Sequence, residues 1–504
     1  MPYEHGVYVS ETATAITPAP SVDASLPYVV GGVPVAFGPS IVSSWSQFLS
    51  LSGISSEADY TPEGNGWFKY SLVSFAYYWF RIAGRGECIM CGLADSPSAG
   101  VSTLTQNAIL DALDLLGTIY ERFRREPSLV IVPYYARSQA IWSAMASLCA
   151  QYGGQFSAMA LADIPCGPCR LDAQSADVVD DPDDVVTAKT ASDPYLTLCW
   201  PYVGVDTMRF DMSTVLAATM NRVDGQNAGL PFVSPSNKTC GITGLYVLTG
   251  QSAKASADLT WQYGTIHAVA KAAGVGGNSL TVSMQPYSDS AVECVISRDS
   301  TTLFSTSTAT ALSDLANDYV DFSSSVTSVI TIVTEVKTVT LTGGETVVPV
   351  EKPLFMNRDQ VNASLNGNGV VGARNTAKGW VVWGNNTSAY PGNLDIKDYM
   401  IPIRRTFNYT ENLFMVWAET RVDDPLNRRQ LEGVCTSFNQ VLAGLQGLGC
   451  FNSASIALDD EKNTLADLLK GKVYFKIFIS PPPPLQTIVG GFEYDVQGFE
   501  ASLA

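Results

Sequence analysis

The sequence predicts a multidomain chain of α+β / α/β class. A mixed α/β core is interrupted by an inserted β-rich domain and prolonged at both ends by extended strand arms. Three observations predict this. Residues 96–195 alternate amphipathic helix with apolar strand, the mark of a parallel layer. Residues 251–350 turn rich in Ser, Thr, Val and Gly and largely lose helical periodicity. Both ends alternate apolar with polar side chains and are joined to the body by linkers containing Pro or Gly.

Residues 1–25 read as an N-terminal arm. In GVYVSETATA, Val7 and Val9 fall on one side of an extended strand, Tyr8 and Ser10 on the other. The Thr/Ala/Pro stretch behind it is a linker, not a hairpin partner. An isolated strand carries unpaired donors and acceptors, so it needs a sheet edge. Residues 26–95 form a core segment holding IVSSWSQFLSLSG and an aromatic buried helix, LVSFAYYWF, from Leu72 to Phe80. In 96–195 a helix over about Thr103–Phe123 precedes the strand SLVIVPYY. A second helix, about Ser138–Tyr152, puts Ile141, Met145, Leu148 and Cys149 on one face and precedes the strand QFSAMALADI. Residues 196–250 continue the core. SVITIVTEVKTVTLTGGETVVPV is strongly β-prone and places 251–350 in a separate, peripheral insertion.

In 351–485 helix and strand signals resume. Asp424 and Pro425 suit the N-cap and first turn of a helix reaching about Gly447. That helix is expected to bury Leu426, Gln430/Leu431, Val434, Phe438, Val441, Leu442 and Leu445, and to expose Arg428, Arg429, Glu432, Thr436 and Asn439. GKVYFKIFIS is a strand with Val473, Phe475, Ile477 and Ile479 on one face, stopped by Pro481–Pro484. Residues 486–504 are a C-terminal arm in which Phe492, Tyr494 and Val496 alternate with Glu493, Asp495 and Gln497.

The 504 residues exceed one ordinary core and suggest about three domains. No stretch reaches the ~18 apolar residues of a membrane helix, and no basic-then-apolar leader is visible, so synthesis and folding are expected in the cytoplasm. A net charge of −18 without a Lys/Arg cluster argues against nucleic acid as a partner. The 10 dispersed cysteines read as reduced and mostly structural.

Four motifs invite chemistry. Cys166-Gly167-Pro168-Cys169 has the spacing of a redox dithiol, but LDAQSADVVDDPDD follows where such a thiol needs a helix N-terminus. Adding Cys88 and Cys91 for zinc requires a separation far outside ribbon spacing. The run Asp180, Asp181, Asp183, Asp184 lacks the register of a calcium loop and reads as solvated surface. GVGGNS (Gly274 to Ser279) lacks the Gly-Lys-Ser/Thr of a phosphate loop and reads as a turn. The 2 histidines, His5 and His267, leave the core none for a Ser-His-Asp or Cys-His site, and no G-x-S-x-G elbow occurs. No catalytic, metal or cofactor site is therefore expected. A thiol-disulfide oxidoreductase and a shell or surface adhesin remain as rival readings.

HGVYVSE, SSWSQF (Ser43 to Phe48), PSNKTCGITGL (Pro235 to Leu245), KGWVVWGNNT (Lys378 to Thr387) and NTLADLLKGKVYF (Asn463 to Phe475) followed by PPPPL occur in this order along the chain. In order and spacing the chain resembles the contractile tail sheath proteins of myophage-type bacteriophages and related contractile injection systems. Gly384-Asn385-Asn386-Thr387 stands where that family commonly has Gly-Asn-Arg-Thr, and AGVGGNSLTVSM resembles the start of a β domain many members carry. The resemblance implies a structural virion protein, assembled in the bacterial host cytoplasm, with no cofactor, no nucleic acid partner and no membrane insertion. Its implied partners are further copies of itself in stacked six-fold rings, a tail tube protein, and baseplate and tail terminator proteins. It also implies that the arm strands (Val7, Tyr8, Val9; Phe492, Tyr494, Val496) add to a neighbour's sheet. The edge to receive them is the strand of Val473, Phe475 and Ile477. A helix of the C-terminal domain holds the tube in that family, which makes Arg428 and Arg429 tube-facing candidates; a solvated helix face balanced by Glu432 is the plain alternative.

Overall fold

The computed structural model describes residues 22–97, 102–166, 179, 181–249, 254–273, 279–288, 291–298, 301–317, 319–324, 328–341, 350–495 and 497, and the statements below concern these. Strands β1 (Pro27–Val33) and β2 (Phe37–Val42) lead to α1 (Trp45–Ser52) and α2 (Ser71–Ala76), which continues as a π-helical segment, Tyr77–Ile82. Then come β3 (Cys88–Ala94), α3 (Gln106–Asp114), α4 (Ile119–Phe123), β4 (Leu129–Ile131), α5 (Gln139–Ala150), β5 (Met159–Asp163) and β6 (Leu196–Cys199). The single helix expected over 103–123 is divided, because Leu115–Thr118, with Gly117 inside it, tightens into a 3₁₀ turn.

After β6 the chain forms β7 (Tyr202–Val205), β8 (Met208–Phe210), α6 (Met212–Gln226) and β9 (Gly244–Thr249). Seven strands follow: β10 (Lys254–Trp261), β11 (Gly264–Ala273), β12 (Leu280–Ser288), β13 (Ala291–Arg298), β14 (Thr301–Ala309), β15 (Val320–Ser323) and β16 (Lys337–Thr340). They make two sheets, β10-β11-β15 and β14-β13-β12-β16, around a separate apolar cluster that includes Leu259, Ile266, Val282, Met284 and Ile296. The next strand, β17 (Val350–Leu354), pairs antiparallel with β9, with Val350 opposite Thr249. The two ends of the β-rich segment therefore lie side by side on neighbouring strands.

Strands β18 (Val370–Thr376) and β19 (Gly379–Trp383) return to the first sheet. Its order is β19-β18-β6-β5-β4-β1-β3-β2. The six central strands pair in parallel and the two edge strands antiparallel. Residues 26–95, 96–195 and part of 351–485 thus share one sheet. Side chains alternate between its faces as a strand requires. Tyr28, Val30, Val130 and Ala160 join α3 and α5 on one side, while Val29, Leu129, Ile131 and Met159 join α2 and α6 on the other. Gly31 lets α2 approach, since a Cβ there would meet Ser71 Oγ at 2.8 Å.

The C-terminal unit comprises α7 (Ile401–Glu419), α8 (Arg428–Gly447), β20 (Ser453–Leu458) and β21 (Phe475–Ser480). Two expectations are corrected here. The cap of α8 is Asn427, whose Oδ1 accepts from Gln430 N–H at 2.9 Å. Asp423, in the left-handed region at φ 69°, keeps the chain non-helical just before Asp424 and Pro425, and Leu426 is exposed. Val473 lies outside β21: Asn463 clasps the backbone of Tyr474 through two 2.8 Å bonds, and the ladder opens one residue later.

Candidate subunit interface

The C-terminal unit is built on a satellite core. Phe438 and Leu442 are the fully buried residues of α8 and pack on α7, with ring centroids 4.9 Å apart for Trp417–Phe438 and 5.1 Å for Phe414–Phe438. Ile456 of β20 closes the cluster, and Phe475, Ile477 and Ile479 of β21 pack against it half-buried. Two asparagines fasten α7 to the main sheet. Asn408 Nδ2 donates to Ala158 O at 3.0 Å, and Asn412 exchanges two 2.9 Å bonds with the backbone of Ser157, just before β5.

The hairpin has two edges that differ. Ser455 lies opposite Phe478 and Ile456 opposite Ile477. Asn439 of α8 takes both backbone groups of Ile456: its Nδ2 donates to Ile456 O at 3.2 Å and its Oδ1 accepts from Ile456 N–H at 3.0 Å. Ile456 therefore directs its backbone away from β21. In an antiparallel ladder the residue opposite does the same on the far side, and the pattern alternates. So Phe475, Ile477 and Ile479 turn their N–H and C=O groups to the outer edge of β21. Their side chains face α7, with Phe475 6.3 Å from Phe414 between centroids. A side-chain amide covers the middle residue of the β20 edge, and the β21 edge presents three backbone donor–acceptor sets.

Beside the open edge runs a groove of about 420 Å³. Phe407, Phe414, Met415, Ile477 and Ile479 give it an apolar floor, and Glu411, Gln151, Gln155 and Tyr195 a polar rim. On the opposite face of β21, Lys476 Nζ pairs with Asp459 at 3.3 Å and Glu461 at 3.4 Å. Beyond β21 the chain from Pro481 to Asp495 is neither helix nor strand, and Phe492 and Tyr494 are 98% and 75% exposed. Over 492–495, the described run of the expected 492–497 strand, no strand is therefore formed within this chain. A second recess, of about 720 Å³, lies between Pro482–Pro484 on one side and Phe232, Lys378 and Trp383 on the other. Asn386, in the Gly-Asn-Asn-Thr motif, lines it and donates to Asn366 O at 3.1 Å.

The sequence-based candidates are only partly brought together. Phe475 and Ile477 share the open edge. Arg428 and Arg429 sit at the exposed start of α8, where Arg428 Nε meets Glu432 Oε1 at 2.8 Å across one helical turn. Val7, Tyr8, Val9 and Val496 lie outside the described residues, as does Cys169. Asn439 and Asn412, which define the edge and fix α7, gave no signal beyond being helical asparagines.

Cys166, the described thiol of the candidate dithiol, does not have the environment of an activated one. Cys166 is buried, and burial pushes its pKa up to about 12, the reverse of an activated thiol. Cys88 and Cys91 point to opposite faces of the main sheet, and burial raises both. Among the described residues no cluster of His, Cys, Asp and Glu could hold a metal, and no helix is long and apolar enough to cross a membrane. Asp181 instead caps a short turn by accepting from Asp183 N–H at 2.9 Å, while Asp183 accepts from Ser364 Oγ at 2.7 Å.

No family model and no curated protein matches the chain. Solved structures do match over nearly its full length. The baseplate structure of the anti-feeding prophage gives a TM-score of 0.55 at 16% identity, covering 98% of this chain and 100% of that one. The sheath complex of PVC, an extracellular contractile injection system, in its contracted state gives 0.56 at 14%, covering 99% of each. The contracted helical sheath of the anti-feeding prophage gives 0.53 at 15%, covering 97% and 99%. The chain has the fold of contractile injection system sheath proteins.

Proposed function

We propose that the chain is the structural subunit of a contractile sheath, which polymerises around a tail tube and contracts to drive it through a cell envelope. The observation that carries this reading is a fold held in common with sheath structures from one end of the chain to the other. The hairpin supplies a physical reason for polymerisation. Its open β21 edge offers backbone hydrogen bonds, and the apolar groove beside it offers pockets for alternate side chains, the two parts of strand addition. The arms of neighbouring copies, with Val7, Tyr8 and Val9 or Phe492, Tyr494 and Val496, are the strands to be added. Free energy is stored in suboptimal contacts between subunits of stacked six-fold rings and released on contraction.

The same reading places the protein in a phage tail or tail-like particle assembled in a bacterial cytoplasm. Its partners are the tube, baseplate and tail terminator proteins, and it has no enzymatic activity and no cofactor. Arg428 and Arg429 are the proposed tube-facing pair. Electron microscopy of the purified chain tests the proposal: helically striated tubes are expected, and closed shells or dispersed monomers at high concentration overturn it.

A further inference from the structure

The first described residues of the chain are held by groups from three distant segments. Asp23 N–H donates to Glu126 Oε1 at 3.0 Å, and the Asp23 carboxylate takes Arg125 Nε at 2.5 Å. Arg125 in turn reaches Glu87 at 3.0 Å. Ala24 O accepts from Arg405 Nη2 at 2.9 Å, and the same buried guanidinium is paired with buried Asp224. Asn221 Nδ2 reaches Ser25 O and Oγ at 3.3 and 3.2 Å. Val22, Ala24 and Ser25 are buried although no regular element contains them. A chain merely passing from a linker into β1 does not need a buried ion pair, a buried carboxylate and an amide spent on three consecutive residues.

We infer, as a refinement resting on the sheath reading, that Asp23–Ser25 is a fixed anchor from which the N-terminal arm departs, and that Glu126, Asn221 and Arg405 are its positioning residues. Arg405 gives the anchor a consequence. It lies near the start of α7, and Phe414 and Met415, which floor the groove, lie further along the same helix. At about 1.5 Å per residue the two sites are roughly 14 Å apart on one rigid rod. Asn408 and Asn412 pin that rod to the main sheet between them. The point where one arm leaves a subunit and the groove where another is received thus share one element. Displacement of a neighbour, carried along its arm, therefore loads the same helix that fixes the root of the receiver's own arm.

Amide hydrogen exchange on the full-length monomer tests the anchor, using Glu126→Ala and, should that variant not fold, Asn221→Ala, whose side chain is only half-buried. A peptide spanning 22–26 should be protected in the unmodified chain and exchange at least tenfold faster in the variants, while β1 keeps its rate. Tube yield at fixed protein concentration should fall at least tenfold with it. Equal exchange over 22–26 in variant and unmodified protein overturns the anchor, and so does unchanged tube yield. If the unmodified chain itself forms no tubes, the sheath reading fails instead, a result the variants cannot mimic.

Discussion

Replacing Ile477 by proline should abolish polymerisation while leaving the subunit folded. The N–H of Ile477 points out of the hairpin, because its partner Ile456 gives its own backbone groups to Asn439. Proline therefore removes no ladder bond, an edge strand whose N–H faces outward tolerates it, and an extended preceding Lys476 suits it. The monomer loses only part of a half-buried side chain, about 1 kcal/mol. An incoming strand fares worse. Its carbonyl facing position 477 is left buried without a donor, which costs about 1–3 kcal/mol. At 1.4 kcal/mol per decade this weakens each strand addition roughly 5- to 150-fold, and every subunit in the lattice carries the defect. Phe478→Pro is the control. Its side chain is 59% exposed, so little packing is lost, but its N–H belongs to the ladder with Ser455. That variant should destabilise the hairpin itself. Sedimentation gives the critical concentration for assembly, and thermal melts followed by circular dichroism report the fold. If Ile477→Pro assembles at the unmodified concentration with its melt unchanged, the outer edge of β21 is not the receiving edge.

Three further outcomes are expected. Replacing residues 254–341 by a short Gly/Ser linker should leave assembly intact, because β9 and β17 hold the two ends together with Val350 opposite Thr249; insoluble or non-assembling protein counts against it. Burial lifts Glu126 from 4.5 to about 7, so its contribution to stability is present below its ordinary range and lost as pH rises to about 7. Glu126→Gln keeps an acceptor for Asp23 N–H and should flatten that loss, by up to about 3 kcal/mol, in urea melts taken below and above this window. Arg428→Glu combined with Arg429→Glu should give folded sheath that no longer co-assembles with tube, both side chains being exposed; normal co-assembly removes the pair from the tube contact.

What was legible in the sequence follows physical range. The alternation of strand and helix announced the parallel layer, and the composition of 251–350 announced a segment with its own strands, because both signals are local. The order β6-β5-β4-β1-β3 and the return of β18 beside β6 were not legible, since they depend on which apolar faces meet across the chain. Local competition explains the boundary errors. Asp424-Pro425 is a sound cap by residue type, but Asn427 sits where its side chain can reach the Gln430 amide. Val473 alternates correctly with Phe475, yet Asn463, distant in the turn, takes the Tyr474 backbone first.

The candidate interface is the sharpest case. KVYFKIFI identifies a strand, but a strand in a hairpin has one paired side and one unpaired side, and side-chain alternation does not distinguish them. The distinction is made by Asn439 on another element, a single amide able to imitate one residue of a neighbouring strand. It blocks β20 at its middle residue and, with β21 left open, gives the hairpin a direction. A hairpin with two open edges could add strands on either side and grow without a defined lattice, the hazard that edge strands pose generally. One edge closed and one open limits addition to a single face, next to the groove floored by Ile477 and Ile479. Ordered rings need that restriction: each subunit must accept strands at one site whose position is fixed relative to the place from which its own arm departs. Removing the amide with Asn439→Ala should therefore reopen β20. The expected result is a folded monomer that associates faster and into irregular aggregates instead of tubes, visible by electron microscopy. Regular tubes from Asn439→Ala would mean that the direction of growth is set elsewhere.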